Sequence, residues 1–74
     1  MSVESKVIQV ISEHLGVSVS IESTAESLLM DDIDQIDIMM FMEEEFDLEL
    51  SDDEANSATT VRGIISLIEQ KLNP

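Results

Sequence analysis

Asp31-Asp32-Ile33-Asp34-Gln35-Ile36-Asp37-Ile38-Met39-Met40-Phe41-Met42-Glu43-Glu44-Glu45-Phe46 is the stretch that decides how this chain folds. Ile33, Ile36, Met40 and Phe46 recur at helical spacing among carboxylates, which predicts one helix starting near Asp31 or Asp32 and running to about Phe46. The carboxylates of its first turn lie favourably against the positive end of the helix dipole. Residues 31 to 54 hold twelve Asp or Glu and no Lys or Arg, so the folded helix presents a strongly anionic face. Met39 to Met42 are four consecutive apolar residues, too many for one buried stripe, and at least one is expected to face solvent or a partner.

Upstream, Val7, Ile8, Val10, Ile11 and Leu15 follow the same period, predicting a first helix over Glu4 to Leu15 with Ser2 as N-cap and Gly16 as its stop. Val17 to Met30 is rich in Ser and Thr, with Val17, Val19, Ile21, Leu28 and Leu29 as spaced apolar anchors, and reads as a long ordered connection. Val17-Ser18-Val19-Ser20-Ile21 alternates like a strand. No second strand pattern exists to pair with it, so an extended loop pinned to the core is expected. Downstream, Ser51-Asp52-Asp53-Glu54 fits a capping box opening a short helix. Thr59 or Thr60 then caps a last helix with Val61, Ile64, Ile65, Ile68 and Leu72 in one stripe, Lys71 near its C-terminal end and Asn73-Pro74 closing it. The fold class is all-α: a single domain over residues 1 to 74, an irregular four-helix bundle with three long helices, one short one and a long first connection.

Seventy-four residues without Cys must fold around one compact aliphatic core. The net charge of -14 repels nucleic acid and anionic lipid and favours a partner with a Lys or Arg patch, in an association that weakens with salt. A cytoplasmic monomer is expected, since the N-terminal residues lack the basic and apolar regions of a signal peptide and no apolar run reaches membrane-spanning length. Asp32, Asp34 and Asp37 lack the Gly and the bidentate Glu that complete a calcium-binding loop, although clustered carboxylates at 47 to 54 suit weak, nonspecific divalent binding. His14 has no His or Cys partner for a metal and reads as a dipole partner at the end of the first helix. No phosphate loop or base-paired nucleophile can be assembled, so no enzyme is expected.

Several strings in order resemble the acyl carrier protein family. Glu13-His14-Leu15-Gly16-Val17 looks like the family's end of helix one. Glu26-Ser27-Leu28-Leu29-Met30-Asp31-Asp32-Ile33-Asp34 looks like its Glu-Asp-Leu-Gly-Ala-Asp-Ser-Leu-Asp, and Met42-Glu43-Glu44-Glu45-Phe46-Asp47 like its Leu-Glu-Glu-Glu-Phe-Asp. Ser51-Asp52-Asp53-Glu54-Ala55 and Thr59-Thr60-Val61 fall where the family has Pro-Asp-Glu-Glu-Ala and Thr-Thr-Val. In that register Asp32 occupies the position of the serine to which 4'-phosphopantetheine is attached. A carboxylate cannot form that phosphodiester, so no cofactor is expected unless Asp32 is an engineered replacement of Ser. Ser27, the nearest hydroxyl upstream, reads as a loop or capping serine. Leu29 stands where the family has Gly, and a loop that needed positive φ there is expected to be remodelled.

The resemblance also implies a docking face of Asp31, Asp34, Asp37, Glu43 and Glu44, with Ile36 and Met40 as apolar contacts between them. Such a face meets basic patches on lipid- or polyketide-synthesis enzymes or other carrier-binding proteins. An acidic helix is ordinarily just a solvated surface. The one-sign bias and the family register together favour docking instead. The expected function is thus a non-catalytic carrier-like binding module lacking its arm. Two alternatives remain open: a genuine carrier of fatty-acid or polyketide synthesis with a mutated attachment serine, and an acidic inhibitor that mimics DNA.

Overall fold

The computed structural model describes residues 2 to 73. It contains four helices, α1 (Val3–Leu15), α2 (Asp32–Phe46), α3 (Asp52–Ser57) and α4 (Val61–Leu72), as the sequence pattern predicts. Each begins on a side-chain oxygen that accepts one of the backbone N–H groups the first turn leaves unpaired. Ser2 accepts from Ser5 at 3.1 Å, Asp31 from Asp34 at 2.8 Å, Ser51 from Glu54 at 3.1 Å and Thr60 from Gly63 at 2.9 Å. Gly63 leaves room for that last cap, because a Cβ there would sit 2.9 Å from the Thr60 hydroxyl oxygen. Gly16 ends α1 in the left-handed region at φ 70°, where a side chain is disfavoured. Thr60, not Thr59, is the cap of α4; Asn73 follows its last turn, and Pro74 lies outside the described residues.

The core joins Val7 and Ile11 of α1, Ile38, Met39 and Met42 of α2, and Val61, Ile64, Ile65 and Ile68 of α4, with Ala58 from the segment between α3 and α4. Helix α1 packs against both α4 and α2, and α3 against α2. Among the described residues no polar or charged side chain is buried, so the interior depends on apolar burial. Each fully buried Ile, Val or Met contributes about 1.5–3 kcal/mol. Leu72 does not join the stripe it was expected to extend. The buried face of α4 ends at Ile68, and every residue from Glu69 to Asn73 is exposed.

The connection between α1 and α2 is held without a strand. Thr24 and Thr60 form one isolated antiparallel bridge, in which Ala25 N–H donates to Thr59 O at 2.8 Å and Val61 N–H to Ser23 O at 2.9 Å. Val19, Ile21, Leu28 and Met30 pack on the core. Val17 and Leu29, expected as anchors, are 49% and 88% exposed. Residues 24 to 30 make a single tight turn: Thr24 and Ser27 exchange backbone-to-hydroxyl hydrogen bonds, each 2.9 Å, at its start. At its end Met30 N–H donates to Ala25 O (2.9 Å) and Leu29 N–H to Glu26 O (3.1 Å), the paired closure of a Schellman motif. That motif requires a left-handed residue at its corner, and Leu29 supplies it at φ 57°. The expectation of a remodelled loop is therefore overturned. Two backbone hydrogen bonds hold Leu29 in a conformation that glycine adopts freely.

Candidate docking site on the second helix

Helix α2 presents three differently occupied flanks. Ile38, Met39 and Met42 face inward, and Gln35 beside them donates from Nε2 to Ala55 O and Ala58 O, both at 3.0 Å, tying α3 to α2. A second flank meets α1. There His14 Nε2 lies 3.6 Å from Asp34 Oδ1, the His14 and Phe41 rings sit 5.3 Å apart at 58°, and Lys6 pairs with Glu45 at 3.3 Å. The third flank faces away from the bundle, carrying Ile33 (69% exposed), Ile36 (59%) and Met40 (52%) beside Asp37 and Glu44. Positions 33, 36, 37, 40 and 44 share that side because 3.6 residues complete a turn.

The expected site residues do not all stand alike. Asp32, the first residue of α2, is exposed. Asp31 and Asp34 cap each other's backbone, Asp34 N–H donating to Asp31 Oδ1 at 2.8 Å and Asp31 N–H to Asp34 Oδ2 at 3.4 Å. The spacing Asp-x-x-Asp at a helix start is the signal for that reciprocal cap. Glu43 is half-buried and its Oε2 accepts Leu50 N–H at 3.0 Å, so it orders the turn between α2 and α3 as well as facing outward in part. His14 sits at the end of α1 as expected and in addition faces Asp34 and Phe41 across the helix pair. Ile33, Leu29 and Phe41 are exposed apolar residues that the expected set left out. Four consecutive apolar residues in α2 were the available signal for Phe41, which is 43% exposed.

Charge pairing sharpens the contrast between flanks. All three basic residues are already committed: Lys6 to Glu45, Arg62 to Glu22 and Lys71 to Glu54 at 2.9 Å. Among the described residues no Lys or Arg pairs with Asp31, Asp32, Asp37, Glu43 or Glu44. Glu54 is held below its ordinary pKa of 4.5, first by the Ser51 backbone N–H at 2.9 Å and then by its hydrogen bond with Lys71. A cleft of about 480 Å³ lies between α1 and α2, lined by Val10, Glu13, His14, Phe41, Glu44 and Glu45. It is open to solvent on one side. Among the described residues no three His, Asp or Glu side chains converge to hold a metal ion, and no helix is long and apolar enough to cross a membrane.

The bundle, with its long first connection and exposed second helix, is that of a carrier domain. The crystal structure of the acyl carrier protein of Thermotoga maritima is similar to it, with a TM-score of 0.78 and 35% sequence identity over 92% of this chain and 84% of that one. No family model matches the sequence. That identity over most of both chains shows that this chain belongs to the acyl carrier protein family.

Proposed function

We propose that this chain is a non-catalytic member of the acyl carrier family that docks onto carrier-binding enzymes through α2 and carries no 4'-phosphopantetheine. The observation that carries this reading is Asp32, exposed as the first residue of α2, directly beside an outward flank of unpaired carboxylates and apolar side chains. In the family's register this is the attachment position. The residues present do not fit a phosphodiester-linked arm: a carboxylate offers no hydroxyl, and its charge opposes an incoming pyrophosphate. Ser27 is a poor substitute. Its Oγ accepts Thr24 N–H at 2.9 Å and donates to Thr24 O at 3.0 Å, so both of its hydrogen-bonding roles serve the turn.

Asp31, Asp34, Asp37, Glu43 and Glu44 supply the charge of the docking face, and Ile36 and Met40 its apolar contacts. Asp37 and Glu44 are its centre; Asp34 and Glu43, partly engaged within the chain, form its edges. A groove ringed by Lys and Arg on a lipid- or polyketide-synthesis enzyme is complementary to it in charge and shape. The protein then acts as a mimic, decoy or regulatory subunit. Incubation with coenzyme A and a broad-specificity phosphopantetheinyl transferase, followed by intact-mass measurement, tests the reading. The expected mass is unchanged, and a single added arm overturns it in favour of an ordinary carrier.

A further inference from the structure

We propose that Leu29 is an added specificity contact of the docking face, kept in a strained conformation because a partner buries it; the inference rests on the docking reading above. Leu28 and Met30 on either side pack on the core, while Leu29 between them is 88% exposed. In the free protein this residue is doubly disfavoured. Its φ of 57° places a γ-branched side chain in the left-handed region, and its apolar surface meets water. Gly or Asn would close the same Schellman motif with less strain. Asp47, the other non-glycine residue at positive φ (53°) among the described residues, has a short polar side chain that tolerates the region, so Leu29 is the outlier. Strain of this kind is retained where it serves a contact.

Leu29 stands three residues before Asp32, within about 11 Å along the chain, at the end of α2 where Ile33 begins the exposed apolar row of Ile33, Ile36 and Met40. An exposed leucine at this position can lengthen that row past the helix start. Charge selects the occupant. A second copy of this chain brings another -14 against unpaired Asp32, Asp37 and Glu44, whereas a protein with an apolar cleft rimmed by Lys or Arg gains from both components. Leu29 thus favours partners whose cleft extends beyond the first turn of α2.

The test titrates a broad-specificity phosphopantetheinyl transferase, as a carrier-binding probe, into fluorescently labelled wild type, Leu29→Ala, Leu29→Gly, Leu29→Met and the double variant Asp37→Lys/Glu44→Lys. Melting curves and sedimentation are recorded for each. Leu29→Ala and Leu29→Gly are expected to bind about tenfold more weakly and Leu29→Met nearly as well as wild type. Leu29→Gly alone is expected to melt higher, by roughly 2 to 6 °C, because it alone relieves the backbone. If both truncations bind like wild type while the charge reversal weakens binding, the Leu29 assignment is overturned and docking stands. If the charge reversal binds like wild type, or wild type does not bind, the docking reading fails and this inference with it. A dimer that Leu29→Ala abolishes overturns the basic partner as occupant.

Discussion

A single side chain, Gln35, fixes how the short third helix sits against the second. Its amide reaches the carbonyls of Ala55 and Ala58 from a part-buried position, and no other side chain of α2 makes such a link. Gln35→Ala leaves two carbonyls without their donor and is expected to cost about 1–2 kcal/mol, a fall in Tm of roughly 4–16 °C. Gln35→Glu replaces the donor by a carboxylate facing two carbonyl oxygens and is expected to lose more. A Gln35→Glu protein melting with the wild type would contradict this role. Sequence patterning could not single Gln35 out, because a glutamine at an inward helical position only has meaning once its distant acceptors are placed. At Leu29 a missing glycine suggests a changed loop, whereas the structure closes the Schellman motif with leucine in the glycine conformation.

Helices were the most legible level, since caps are local. Ser2, Ser51 with Glu54, and the Thr59-Thr60 pair announce their helix starts in the sequence, and the observed starts follow within one residue. The first connection was legible only as a pinned loop; its single bridge to Thr60 joins positions far apart in the chain and carries no periodic signal. Helix α3 buries none of its residues fully; Ala55 packs on the core, and the capping box and the Glu54–Lys71 pair add polar ties. Glu54 titrates below 4.5, and the sign follows: a depressed folded value contributes stability that is present above 4.5 and lost as pH falls through the folded value. Carboxyl NMR titration is expected to place Glu54 below the ordinary value of 4.5. Lys71→Met is expected to raise it only partway, because the Ser51 backbone N–H is the larger cause. Complete return to 4.5 in that variant would contradict the assignment.

For the whole molecule, charge and function meet in one economy of basic residues. Three cations each pair with a glutamate away from the outward flank of α2, and among the described residues no Lys or Arg pairs with that flank. The chain measures 31 × 27 × 19 Å, comparable to the screening length of about 30 Å at 0.01 M salt and well above the ~8 Å at 0.15 M. Its carboxylates therefore repel one another across the molecule at low salt and only locally at moderate salt. Tm near neutral pH is expected to rise by roughly 4 °C or more over that range, and an unchanged Tm would contradict strong self-repulsion. The fold and the one-sign flank of α2 were readable from the sequence because periodicity and charge are local properties; the internal duty of Glu43 was not, since its backbone partner, Leu50, lies beyond the end of the helix. The central claim is that one residue, Asp32, separates this chain from a loaded carrier. Intact-mass measurement of the wild type and Asp32→Ser, side by side with coenzyme A and a phosphopantetheinyl transferase, tests it most directly. The account predicts no change for the wild type and one added arm on Asp32→Ser, whose loop keeps its positive φ at Leu29; an arm on the wild type would contradict it.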